Sequence, residues 1–410
     1  MARKYPALTV SAKAEKMLKG GHPWVYGEEV TGQKTPDGVP PLRDGDIVDA
    51  VSQKGKYLGS GFVNSTSKIR IRVISKNTND KFDEAFFERR LRHAVDYRKT
   101  VMGADFHACR LIFGEADYFP GLTVDLFDGV LVTQVLCLGI DRIKTMLYTK
   151  LIAILAEYGV EVTSLYEKSD SPIRALEGLP SFSGYVDLPG LSHREEPLWI
   201  KENDLWFRVE YETGQKTGFF LDQKYNRLAI RNIARGRRVL DCFTHTGAFA
   251  LNAALGGALS VLAVDISGDA LAVARENAER NGLSSVVSFE EADVFDFLSV
   301  RANRKGEFDF IILDPPAFTK SRSTVKDAVR GYKEINLKAM KMLAKGGYLA
   351  TCSCSHFMTD TLFCQMLHQA AEDAGVSLRQ IEERRQSPDH PVLWNVPETE
   401  YLKFYIFQIV

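Results

Sequence analysis

Between residues 22 and 75 the hydrophobic positions fall in short alternating runs, DIVDAV, YLGSGFV and KIRIRVIS, broken by Gly32, the Pro40-Pro41 pair and Asp44-Gly45-Asp46. A period of two marks strands with one buried face, so this stretch predicts a small all-β module. In KIRIRVIS, Lys68, Arg70 and Arg72 share one face and Ile69, Ile71 and Val73 the other. From 80 to 101 the period lengthens to that of an amphipathic helix carrying Arg89, Arg90, Arg92, Arg98 and Lys99, for which a linker is the simplest role. LTVDLFDGVLVTQVL then reads as a hairpin turning at Asp128-Gly129, followed by a helix over about 141–158 and the strand VTSLYEK, a second α+β unit. Another hairpin, LWIKENDLWFRVEYE, turns at Asn203-Asp204. From Arg237 onward strand, loop and helix repeat, which predicts a parallel sheet with helices on both faces. The fold class is therefore α/β, with a Rossmann-like C-terminal domain behind a small all-β domain and a central α+β domain.

A chain of 410 residues is too long for one ordinary core, in line with several domains. No apolar run approaches the roughly 20 residues of a membrane span, and the basic N-terminus lacks the apolar core of a secretory signal; a cytoplasmic protein without a membrane partner is expected. The net charge of -1 conceals an asymmetry: residues 1–110 hold 20 Lys and Arg against 13 Asp and Glu, so the front of the chain is its basic end. Clustered positive charge suits a phosphate backbone, though a solvated basic face gives the same count. The six cysteines are dispersed, and the Cys352-x-Cys354 pair has no second pair at ligand spacing, so no metal is expected.

RRVLDCFTHTGAFALNAALGG predicts a buried strand, a loop containing Gly247, and a helix, and the ligand of such a unit lies over the helix N-terminus. A dinucleotide would want G-x-G-x-x-G, whereas this loop has one glycine and begins with Asp241. An acid there suits the ammonium of a methionine-like group better than a phosphate. The next strand ends in Asp265, 24 residues after Asp241, where such folds keep the acid that accepts from ribose hydroxyls. VVSFEEAD and FDFIILDPPAF end their strands with Asp293 and Asp314, so four successive strands each carry an acid to one edge of the sheet. Each alone reads more simply as a helix cap; together they favour a site.

On GHPWVY, PGLTVDLF, TGQKTGFFLDQ, VLDCFTHTGAFA, VDIS, DPPAF, CSCS and DHPV, the whole chain resembles the bacterial PUA-domain ribosomal RNA large-subunit methyltransferases of the cytosine-5 group. The resemblance implies a PUA domain over residues 1–75, a linker helix and central α+β domain over 76–195, and a seven-stranded class I methyltransferase domain over 196–410 that uses S-adenosylmethionine. It implies that Asp222 and Gln223 approach the cofactor, with Asp241, Thr246, Gly247, Asp265, Asp293 and Asp314 around it. The partner it implies is ribosomal RNA, with a homodimer permitted.

Carbon 5 of cytosine is a poor nucleophile, so a thiolate must first add to carbon 6. Cys354 is the candidate, because the family motif aligns on it and because it lies farther out along the strand than Cys352, which has the same facing. Its thiolate must form near neutral pH against four acids, which calls for positive charge from a bound sulfonium and from Lys320. Asp314 can address the Watson–Crick edge of a flipped cytosine, with Pro315 and Phe318 against the base. A rigid loop with a core Phe is the plainer reading of the same residues. Related RNA cytosine-5 enzymes carry a second cysteine after Asp-Pro-Pro; here Ala317 stands in that place, which opens the question of product release, with His356 and water as candidate proton acceptors. A guanine N-methyltransferase on the same catalytic domain is the alternative.

Overall fold

The computed structural model describes residues 4–319 and 321–410; Lys320 lies outside them. The chain divides into two compact units. The first comprises Met1–Leu198, Val209–Leu221 and Pro388–Thr399; the second comprises Trp199–Arg208, Asp222–Ser387 and Glu400–Val410.

The first unit opens with β1 (Ala7–Val10), α1 (Ala12–Lys19), β2 (Trp24–Tyr26), β3 (Val30–Lys34), β4 (Ile47–Val51), β5 (Tyr57–Val63) and β6 (Ile69–Ser75). These strands form a six-stranded sheet in the order β2-β6-β5-β4-β1-β3. The alternation in KIRIRVIS buries Ile71 and Val73 in a core with Val25, Val48 and Leu18, whereas Ile69 is only half-buried and Arg72, on the opposite face, is taken up by ion pairs with Glu115 and Glu177. The first strand and helix were not anticipated in the basic N-terminal stretch. Ser11 caps the helix by accepting from the Ala14 amide, and Ala14 and Leu18 face the sheet, so the β module carries one helix. Then come α2 (Glu84–Met102), β7 (Ala108–Phe113), β8 (Leu122–Phe127), β9 (Val130–Val135), α3 (Leu138–Glu157), β10 (Ser164–Ser169), the short α4 (Ile173–Leu176) and β11 (Phe182–Tyr185). They make a five-stranded sheet in the order β11-β10-β9-β8-β7. Asp128 and Gly129, at φ 47 and 85, supply the two left-handed residues that a two-residue hairpin between twisted strands requires.

β12 (Leu198–Glu202) and β13 (Leu205–Val209) form the hairpin expected at Asn203-Asp204. After the short α5 (Lys224–Ala229) and α6 (Arg231–Ala234) come β14 (Arg238–Cys242), α7 (Ala248–Leu255), β15 (Ser260–Asp265), α8 (Gly268–Arg280), β16 (Val287–Glu291), α9 (Val294–Arg301), β17 (Phe310–Leu313), α10 (Val325–Met342), β18 (Tyr348–Ser353), α11 (Asp360–Ala374), β19 (Leu378–Arg384) and β20 (Lys403–Ile409). The second unit's seven-stranded sheet runs β16-β15-β14-β17-β18-β20-β19. β14 to β18 are mutually parallel, and β20 is antiparallel to both neighbours. The order reverses between β14 and β17, which opens a crevice at the carboxyl ends of those strands. Ile311, Leu313, Tyr332, Met340, Leu349 and Phe363 fill one face of this sheet. Among the described residues no helix is long and apolar enough to cross a membrane.

Candidate active site

Around the switch point, the loop after β14 turns tightly, the Gly247 amide donating to the Thr244 carbonyl at 2.8 Å. Gly247 sits at φ 81, and a Cβ there would lie 3.1 Å from the Ala274 Cβ on α8, so both its conformation and its closeness to the next helix demand glycine. Thr246 is buried, and its carbonyl accepts from the Asn277 side-chain amide at 2.9 Å. Asn277, itself fully buried, also accepts from the Arg208 amide and so ties the β12–β13 hairpin to this loop; nothing in its helical context singled it out.

Asp241 is fully buried one residue before the end of β14. Its Oδ2 accepts from the Thr244 hydroxyl at 2.5 Å and the Ala250 amide at 2.9 Å, while its Oδ1 has no hydrogen-bond partner. Burial, with the nearby Asp314 and Asp265 charges, pushes its carboxyl up to about 7. A buried acid with an open oxygen fits the cationic ammonium of S-adenosylmethionine, which would make the ionised form favourable again. Asp265, at the end of β15, accepts from the His245 amide at 2.8 Å and the Ser267 amide at 3.0 Å, which orients its carboxylate at the loop while leaving acceptor capacity on each oxygen. Asp293 is exposed and caps α9, accepting from the Phe295 and Asp296 amides.

Asp314 follows β17. The Gln223 amide donates to its Oδ1 at 2.9 Å, and Gln223 is braced by the Asn226 amide at 2.6 Å. Asp222 accepts from the Tyr401 hydroxyl at 2.5 Å. Burial first, and then the Asp222 charge, raise the Asp314 carboxyl to about 7. Pro315 is buried and Pro316 exposed. Phe318 is half-buried in an aromatic cluster, 4.5 Å from Tyr332 and 5.6 Å from Phe295 between centroids. Its ring is thus engaged with neighbours instead of standing free beside the loop.

β18 brings in the two thiols. Leu313 pairs with Thr351, so Cys352 continues that register at the level of Asp314. Cys352 is fully buried, and burial together with the Asp314 charge pushes its thiol well above the usual range. Cys354 stands beyond the strand end, half-buried, with its Sγ 3.9 Å from the Pro315 carbonyl oxygen. The cation beside it was missed by the sequence reading. Ser353 pairs with Lys403 on β20, and the buried Lys403 ammonium donates to the Ser355 carbonyl at 2.7 Å and the Tyr401 carbonyl at 2.8 Å. Burial lowers its pKa to about 8, and the Cys354 charge works the other way. His356 Nδ1 lies 3.4 Å from the Glu400 carbonyl. Among the described residues, no group of three or more His, Cys, Asp or Glu side chains is placed to hold a metal ion.

The DHPV segment belongs to the first unit, where Asp389 and His390 are buried and paired at 2.9 Å and Asp389 accepts from the Arg110 amide.

Comparison with known proteins places the chain in a family. Residues 191–407 match the family of S-adenosylmethionine-dependent methyltransferases, and residues 8–76 match a PUA-like domain. The chain is 38% identical over 410 residues to ribosomal RNA large subunit methyltransferase I of Klebsiella pneumoniae (strain 342), covering 99% of each chain. The protein of the same name from Escherichia coli O9:H4 (strain HS) is 38% identical over 407 residues, covering 98% of this chain and 99% of its own. Among solved structures, a candidate SAM-dependent methyltransferase of Streptococcus mutans shares the fold with a TM-score of 0.80 at 23% identity, over 98% of this chain and 99% of that one. A sheet of methyltransferase order with a buried acid open to a cation, joined to near-complete coverage by these relatives, means that the chain is an S-adenosylmethionine-dependent methyltransferase belonging to the ribosomal RNA large subunit methyltransferase I family.

Proposed function

We propose that this enzyme methylates carbon 5 of a cytosine in 23S ribosomal RNA through a thiolate adduct of Cys354. S-adenosylmethionine supplies the methyl group when bound. Asp241 holds its ammonium, Asp265 its ribose hydroxyls, and Thr246 and Gly247 let the loop backbone approach it; Asp222, Gln223 and Asp293 complete the surroundings. The cytosine leaves its stack to reach the pocket, where Asp314, with a pKa of about 7, keeps a proton available at neutral pH for N3. As the Cys354 sulfur bonds to carbon 6, the proton passing to N3 neutralises the charge pushed onto the ring, and carbon 5 gains enamine character. After carbon 5 has been methylated, N3 returns its proton to the Asp314 carboxylate, water or His356 takes the proton from carbon 5, and that electron pair re-forms the carbon 5–carbon 6 double bond as the Cys354 thiolate leaves. Pro315 fixes the loop against the thiol, and Phe318 stiffens that loop through its ring cluster.

The observation that carries this reading is the contrast between the two thiols: Cys352 is sealed in the sheet, whereas Cys354 is partly exposed, touches the Asp314 loop and lies within electrostatic reach of the buried Lys403 ammonium. The experiment is trapping with a ribosomal RNA fragment containing 5-fluorocytosine, whose carbon 5 has no proton to lose. A covalent complex through Cys354 is expected. Methylation without any adduct would instead assign the activity to a nitrogen such as that of guanine. A ribosomal RNA substrate fits a cytoplasmic location, and a homodimer is compatible with the reading; sedimentation equilibrium distinguishes it from a monomer.

A further inference from the structure

The arginine-rich helix α2 has a division of labour that its sequence hides. Arg92 bonds Glu157 on α3 at 2.6 and 3.0 Å, and Arg98 grips Asp117 at 2.5 and 2.7 Å. Lys99 lies 4.9 Å over the Phe106 ring, and Arg89 faces Asp80 at 3.6 Å. Arg90 differs from all of these. Its guanidinium lies between two rings, 4.7 Å from the centroid of Phe86 and 4.9 Å from that of Tyr118, and meets no hydrogen-bond acceptor among the described residues. It lines a cavity of about 600 Å³ with Arg89, His93 and Asn77, and with two acids, Asp80 and Asp117.

The cavity is built to hold an unpaired cation. Phe86, Arg90 and His93 recur at helical spacing on one face of α2. Tyr118 is held at φ 59, a left-handed conformation that costs a bulky residue of order 1 kcal/mol, where its ring covers the guanidinium. The two nearby acids are committed elsewhere. Asp117 serves Arg98 and the Phe113 amide, while Asp80 takes the Ser75 hydroxyl at 2.5 Å and the Asn77 amide at 3.3 Å besides facing Arg89. Stacking fixes the plane of a guanidinium while leaving its N–H edge for an acceptor, and burial depresses the Arg90 pKa to about 10, the Asp80 charge offsetting only part of that because no carboxylate is hydrogen-bonded to the group.

We propose that this cavity is a phosphate-binding subsite, in which Arg90 and Arg89 take a backbone phosphate of the RNA strand. A phosphodiester is planar enough across two oxygens for the guanidinium fork, and a polymer of them is what the basic front end of this chain attracts. The choice of RNA over a free phosphate compound rests on the ribosomal RNA reading above.

The test uses the full chain and the variants Arg90→Met, which keeps a stem between the rings, and Arg90→Lys, which keeps the charge. Binding of a ribosomal RNA fragment is measured between about 50 and 200 mM salt. Arg90→Met should bind about 10-fold more weakly, with the slope of log affinity against log salt flattened by about 0.7–0.9, while Arg90→Lys keeps nearly the full slope. Unchanged affinity and slope in a folded Arg90→Met protein would overturn the proposal and leave the methyltransferase reading intact. Failure of the wild-type protein to bind or methylate the RNA would bring down both. If inorganic phosphate or AMP stabilises wild-type but not Arg90→Met protein against heat while RNA binding is equal in the two, the cavity serves a free phosphate compound and the RNA assignment is wrong.

Discussion

Replacing Asp241 with Asn should flatten the pH dependence of stability and weaken the cofactor, and the two effects share one cause. The carboxyl has a pKa of about 7 in the fold against 3.8 ordinarily, so between these values the folded protein holds a proton that the unfolded chain has released. Stability is therefore highest below the unfolded value, falls as pH rises from about 4 to 7, and levels above the folded pKa. About three units correspond to about 4 kcal/mol; because Asp314 is raised alongside and the two acids repel each other, the share assignable to Asp241 alone is nearer 2 kcal/mol. Asn retains an oxygen for Thr244 and Ala250 but places an amide where Oδ1 had no partner, a cost of about 1–3 kcal/mol that does not vary with pH. Only the part of this interval above pH 5 is sampled by denaturant unfolding at pH 5 and pH 8, so wild-type stability should drop by roughly 1 kcal/mol more than that of the variant. Calorimetry with S-adenosylmethionine should show the variant binding about 10- to 100-fold more weakly, since a charge-assisted contact is lost. For the wild type, affinity should fall about tenfold per unit as pH drops below 7, and fall again above about 7.7, where the ligand's own amino group loses its proton. An Asn variant that binds as tightly as wild type, or a wild-type affinity flat from pH 5.5 to 7, would remove Asp241 from the ammonium.

Cys354→Ala should abolish methylation and the 5-fluorocytosine adduct while cofactor affinity stays within twofold, whereas Cys352→Ala should keep most of the activity and lose about 1 kcal/mol of stability; single-turnover assays and denaturation separate the two. Lys403→Met should raise the pH at which Cys354 alkylates by about one to two units, because an opposite charge at this range supports the thiolate; an unmoved alkylation profile would show that the ammonium only braces the backbone.

Local pattern was enough for much of this protein. Alternation marked the strand β6, Asp128-Gly129 and Asn203-Asp204 marked their hairpins, and helical period marked α2 and α3, because each signal depends on neighbours within a few residues. The Gly247 loop and the acids at the strand ends were legible for the same reason, since a parallel sheet repeats its unit and carries each strand's end to one edge. β1 and α1 were missed, because a four-residue strand and an eight-residue helix draw their stability from the sheet they join and carry little periodicity of their own. Only the tertiary structure decided which thiol is sealed and which is open, since Cys352 and Cys354 are alike in sequence and differ by where β18 stops. Lys403 comes within reach of Cys354 through antiparallel pairing across about fifty residues, and Gln223 reaches Asp314 across more than ninety. Register between distant strands is set by the packing of the whole sheet, so no local run of residues encodes it. Arg90 is the same lesson at the other end of the chain: its neighbours on α2 are equally basic, and what distinguishes it is that folding brings carboxylates to Arg92 and Arg98 and two aromatic rings to Arg90.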